Sequence, residues 1–101
     1  MLAGLNQTTS IGTEMNLPPW VTDPALSDQD RTKRELRYRL ILAAAYHNPH
    51  ASIVQLSREA GFAGEHIRNC INRGQLPKKV SLAVEALVGP EIFSRAMFQY
   101  L

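Results

Sequence analysis

Apolar residues recur at three- and four-residue steps along most of the chain, in blocks separated by Gly and Pro. The first block sets Leu36, Leu40, Ala43, Ala44 and His47 on one helical stripe. Ser27 with an acid three residues on, Asp30, has the form of a capping box, and acids in a first turn complement the helix dipole. The pattern predicts a helix from Ser27 to about Tyr46, ended at Asn48-Pro49 because a residue before proline avoids helical backbone. Ser52 to Gln55 repeats the capping pattern and opens a short helix to about Ala60, stopped by Gly61. A third helix, from about Glu65 to Arg73, meets Gly74, which suits the left-handed position just past a helix. Pro77 fits the first turn of a fourth helix, whose apolar face is Val80, Ala83, Val84, Leu87 and Val88. Gly89-Pro90 breaks the chain before a fifth, with Ile92, Phe93, Ala96, Met97 and Tyr100 on one side. No stretch alternates convincingly as a strand would, so the expected fold class is all-α with five helices.

Residues 1–26 show neither period. They hold Gly4, Gly12, the polar run Asn6 to Ser10, and Pro18, Pro19 and Pro24, and read as a disordered N-terminal tail ahead of a folded domain at 27–101. Leu17-Pro18-Pro19-Trp20-Val21 stands apart within it. The prolines favour extended backbone, and the Trp20 ring packs on the domain, meets a protein partner, or stays loose.

Composition narrows the function more by exclusion than by indication. The 45% hydrophobic content is ordinary for a globular chain. Cys70 is the only cysteine, so there is no internal disulfide, and it reads as a small half-buried helix residue. His47, His50 and His66 are not at metal-ligand spacing, and no metal or other cofactor is expected. No apolar run is long enough to span a membrane, and no secretory signal pattern opens the chain, so the expected compartment is the cytoplasm. Without a glycine-rich phosphate loop, a nucleophile elbow or a supported carboxylate pair, an enzyme is not expected.

The net charge of +2 changes meaning once it is resolved along the chain. Residues 28–79 carry ten cations (Arg31, Lys33, Arg34, Arg37, Arg39, Arg58, Arg68, Arg73, Lys78, Lys79) against five acids. A basic middle suits a phosphate-facing surface and equally a solvated charged face. The run Arg31 to Arg39 reads as solvated, with a phosphate clamp as the alternative.

The most informative stretch is Ile53 to Asn72. Two short helices that cross need apolar residues at the crossing, a small residue at the close approach and a glycine in the turn. Leu56, Ala60, Phe62, Ile67 and Cys70 fit the first need, Ser57 the second and Gly61 the third. With Gly61, Phe62, Ile67 and Cys70 at this spacing, and with the exit Ile71 to Pro77, residues 50–95 resemble the phage Cro and lambda-repressor type of helix-turn-helix family. Ser57 stands where that family usually has Ala.

The resemblance implies a Cro-like DNA-binding domain whose third helix lies in the major groove of double-stranded DNA. By carry-over, the base-reading positions are Gly64, Glu65, Arg68 and Asn69, with Asn72 at the outer margin of the same helix. Arg68 can fork onto guanine, Asn69 can bond adenine and Glu65 can accept from cytosine. Ser52, Gln55, Arg73, Lys78 and Lys79 suit phosphates, whereas His66 reads as a bystander. The implied function is transcription regulation, as a homodimer on a symmetric operator, with Phe98 and Leu101 expected at the dimer contact. Two alternatives drop or share the DNA role. One is a protein-interaction or assembly adaptor such as a small phage packaging subunit; the other is an autoregulating antitoxin that meets its toxin through Leu17 to Trp20.

Overall fold

The computed structural model describes residues 17–98, and among these the chain is all-helical. The elements are α1 (Pro19–Thr22), α2 (Asp28–His47), α3 (Ile53–Glu59), α4 (His66–Arg73), α5 (Lys78–Val88) and a single 3-10 turn, Arg95–Met97. Residues 1–16 of the expected tail, together with Tyr100 and Leu101, lie outside the described residues.

Local chemistry sets the helix boundaries. The Ser27 hydroxyl accepts from the Asp30 N–H at 3.1 Å and the Ser52 hydroxyl from the Gln55 N–H at 3.2 Å, satisfying donors that α2 and α3 would otherwise leave open. The short helices α3 and α4 end by the same device. Gly61 and Gly74 take positive φ, +96° and +67°. In each case the glycine N–H bonds the carbonyl three residues back and the next N–H bonds the carbonyl five residues back, so Phe62 reaches Ser57 and Gln75 reaches Cys70. Pro77 sits at the cap of α5, in extended backbone, rather than inside its first turn.

One core joins the four longer helices. Leu36, Leu40, Ala43 and Ala44 of α2 meet Leu56 of α3, Ile67, Cys70 and Ile71 of α4, and Val80, Val84 and Val88 of α5. Phe93 and Phe98 close it from the C-terminal side. The ten-cation middle proves partly internal. Arg39 is only 7% exposed and pairs with Glu35 at 3.1 Å, so it is not on the solvated face where the sequence places it.

Two expected features take a different form. Residues 19–22, expected within the tail, belong to the folded domain, because Val21 is fully buried and α1 packs along α2. Arg34 donates to the Trp20 carbonyl at 2.9 Å, and Arg31 reaches the carbonyls of Asp23 and Leu26, so two arginines of α2 satisfy the open end of α1. The Trp20 ring meets Tyr38 edge-on at 6.0 Å and stays 41% exposed.

Among the described residues, a turn and one 3-10 turn stand where the fifth helix was expected after Gly89-Pro90. Ile92 and Phe93 each bond the Gly89 carbonyl in one turn, Ser94 is extended, and its hydroxyl caps the 3-10 turn at Ala96. Burying both Phe93 and Phe98, five positions apart, does not suit a helical face, and packing overrides the local period. Phe98 is 8% exposed and stacks edge-on to Phe93 at 5.7 Å, so it has little surface to give a second copy.

Candidate nucleic-acid interface

The site is built on α3, the connection at 60–65, and α4. Ser57 is fully buried at the approach of the two helices. Its hydroxyl donates to the Ala63 carbonyl and accepts from the Ile67 N–H at 3.4 Å. The serine therefore does more than leave room. It satisfies a turn carbonyl and an N–H in the first turn of α4, and so fixes where that helix starts. Ile67, Cys70 and Ile71 point inward, while Arg68, Asn69, Asn72 and Arg73 are exposed, as is Glu65 at the cap. The buried face is apolar and the outer one consists of hydrogen-bonding side chains.

Each expected contact residue has a defined setting. Arg68 donates to the Glu65 carboxylate at 3.3 Å, with both side chains about half exposed, so two of the expected base-reading positions are paired with each other. Asn69 is open to solvent. Asn72 lies one turn beyond Arg68 and lines a polar groove with Asp30, Lys33, Arg34 and Arg37 of α2. Gly64 is half-buried, and a Cβ there would meet Val54 Cγ1 at 3.0 Å and Arg58 Nε at 3.1 Å. The Arg58 guanidinium thus lies against the backbone where the carry-over puts a base contact. Sequence reasoning counted Arg58 only as charge; its place three residues before the turn glycine was the available signal. His66 stacks on Phe62 at 4.9 Å and has a buried Nε2, so it offers little to a ligand.

The phosphate candidates divide. Arg73, Lys78 and Lys79 are exposed. Lys78 and Lys79 open α5, where the helix dipole disfavours cations, so they and the free N–H groups concentrate positive potential there. Ser52 is exposed, but the Gln55 amide donates to Glu59 at 3.0 Å. Glu59 also bonds His47, which ties the end of α2 to α3. The Gln55 amide, and next the His47 ring, hold the Glu59 carboxyl below its ordinary pKa. A depressed folded-state pKa means stability that is present above the unfolded-state value and lost as pH falls through the folded one. The stability gap between wild type and Glu59→Gln, read as urea midpoints, is therefore expected to close on acidification below the ordinary carboxylate range. A gap that does not change with pH would show that charge is not what matters there. Burial pushes the Cys70 thiol above its usual range, with Arg73 pulling against it.

Among the described residues no group of three or more His, Cys, Asp or Glu side chains is placed to hold a metal ion. Among the same residues no helix is long and apolar enough to cross a membrane. Comparison with protein-family models, with curated proteins and with solved structures finds no match for this chain.

Proposed function

We propose that the chain is a sequence-specific regulator of the Cro/repressor helix-turn-helix type that reads the major groove of double-stranded DNA with α4. The observation that carries this reading is the two-faced α4, apolar against the core and wholly hydrogen-bonding outward, held at a fixed start by Ser57 and Gly61. Arg68, Asn69 and Glu65 supply the donors and acceptors that major-groove edges need. Arg58 beside Gly64, Arg73 at the end of α4, and Lys78 and Lys79 at the start of α5 are exposed cations that suit the backbone irrespective of sequence. Two copies on a two-fold site would set two such helices about one DNA turn apart.

The test is selection from random duplex DNA by wild type, Arg68→Ala and Asn69→Ala. Wild type is expected to enrich one motif, as an inverted repeat if two copies bind together. Each variant is expected to relax preference at one base position, by about 1–3 kcal/mol of discrimination. Retention of the full wild-type preference by both variants would remove α4 as the reader. If no duplex is enriched, a protein-interaction role takes over. A specific observation favours that second reading: Ile41, Leu42 and Tyr46 of α2 and nearby Trp20 are large apolar side chains left 41–63% exposed.

A further inference from the structure

The polar groove between the N-terminal half of α2 and the last turn of α4 has a volume of about 480 Å³. Its walls are Lys33, Arg34, Arg37 and Asp30 on one side and Ile71 and Asn72 on the other. Three cations therefore face one carboxylate. The ion pairs of the described residues join Arg39 to Glu35, His47 to Glu59 and Arg68 to Glu65, and none involves the groove's cations. Arg34 is already committed to the Trp20 carbonyl. Lys33 and Arg37, one helical turn apart, remain available on the same flank of α2.

The spacing of the two walls is fixed by packing. A Cβ at Gly74 would lie 3.1 Å from Lys33 Cγ, so the lysine stem rests across the glycine that ends α4. Gly74 has left-handed backbone there, and α2 and α4 are also packed through the core. Lys33, Arg37 and Asn72 are thus held by helices rather than by a loop. Asn72 follows Arg68 by one turn, which makes the groove continuous with the reading face of α4.

We propose that this groove seats one phosphodiester of the DNA backbone, between the Lys33 ammonium and the Arg37 guanidinium, with the Asn72 amide as a further donor. This rests on the DNA-binding reading of α4 and extends its footprint onto α2. Arg matches phosphate oxygens with a planar fork, and Lys supplies a compact charge. Asp30 stands on the same wall and opposes the anion, so the site is tuned towards moderate affinity. Asn72 accordingly positions the protein on the backbone instead of reading a base.

The test measures affinity against salt for wild type and for Lys33→Gln/Arg37→Gln, on the selected duplex and on an unrelated one of equal length. Glutamines keep the stem that covers Gly74, and an unchanged thermal midpoint establishes that the variant is folded. The double variant is expected to bind both duplexes about tenfold more weakly, with the ratio between them unchanged. The slope of log K against log salt should fall by about one, the signature of one lost phosphate contact. Asp30→Asn should bind both duplexes more tightly. If wild type binds DNA while the double variant keeps its affinity and slope, the groove is a solvated face and the proposal fails alone. A loss confined to the selected duplex would also overturn it, by making the groove a base reader. If wild type binds neither duplex, the DNA-binding reading itself falls and takes this proposal with it.

Discussion

Glu35→Ala is expected to destabilise the fold by about 3–5 kcal/mol, the cost typical of removing one partner from a buried ion pair. The Arg39 and Glu35 side chains are 8% and 11% exposed, and the guanidinium Nε donates to the carboxylate at 3.1 Å. Its other contacts are soft: Nη1 lies 3.4 Å from the Met97 sulfur, and the guanidinium carbon is 5.7 Å from the Phe98 ring centre. Without Glu35, Arg39 keeps a full charge against a thioether and an aromatic face, which stabilise it weakly. The pair itself is a different matter, because both ions gave up water to form it. Glu35→Leu/Arg39→Met should recover most of the loss. Denaturant unfolding of the single and double variants decides the point. A Glu35→Ala protein within about 1 kcal/mol of wild type would mean that water reaches the guanidinium.

Phe93→Ala is expected to cost a similar amount, about 3–5 kcal/mol, through lost burial and the cavity left behind. Phe93 is fully enclosed and is the largest such side chain described. It sits in a segment with little regular hydrogen bonding, one turn after Gly89 and one 3-10 turn after Ser94. Among the described residues, the Phe93 and Phe98 rings anchor the chain beyond α5 together with the Arg95 guanidinium, which donates to the Leu76 carbonyl. Losing the first also removes the edge-on partner of the second, and Phe98 in turn underlies Arg39. For a domain of this size the thermal midpoint should fall by more than about 10 °C. A drop under about 4 °C would show that the segment adds little to the core.

These two sites also mark what the sequence leaves illegible. The helices α2 to α5 could be read because residues of special chemistry punctuate them: serine caps at 27 and 52, glycines at 61 and 74, prolines at 49 and 77. Their buried faces followed from period alone, as with Leu36, Leu40, Ala43 and Ala44. Contacts between distant elements could not be read. The α1 turn is held because Val21 is buried, Arg34 reaches the Trp20 carbonyl and Arg31 that of the capping Asp23, and none of these signals is local. Arg39 and Arg37 look alike in the chain, yet one is inside and the other lines the groove. At the C-terminus a convincing helical period was overruled by two aromatic rings. The candidate site divides the same way. The outward face of α4 was legible from Ile67, Cys70 and Ile71, whereas Arg58 over Gly64 and the grouping of Asn72 with α2 required the fold.

The Glu65–Arg68 pair has a consequence for how such a helix would discriminate. In the free protein the Arg68 guanidinium already has an acceptor one turn away. If α4 reads DNA as proposed, a guanine would replace that single 3.3 Å contact between half-exposed side chains with a fork onto O6 and N7, a net gain. Opposite any other base it would keep its internal partner, so a wrong sequence would gain little from the arginine. An intramolecular competitor of this kind sets a threshold. It would trim what the arginine adds on random DNA while leaving the correct site its two-pronged contact.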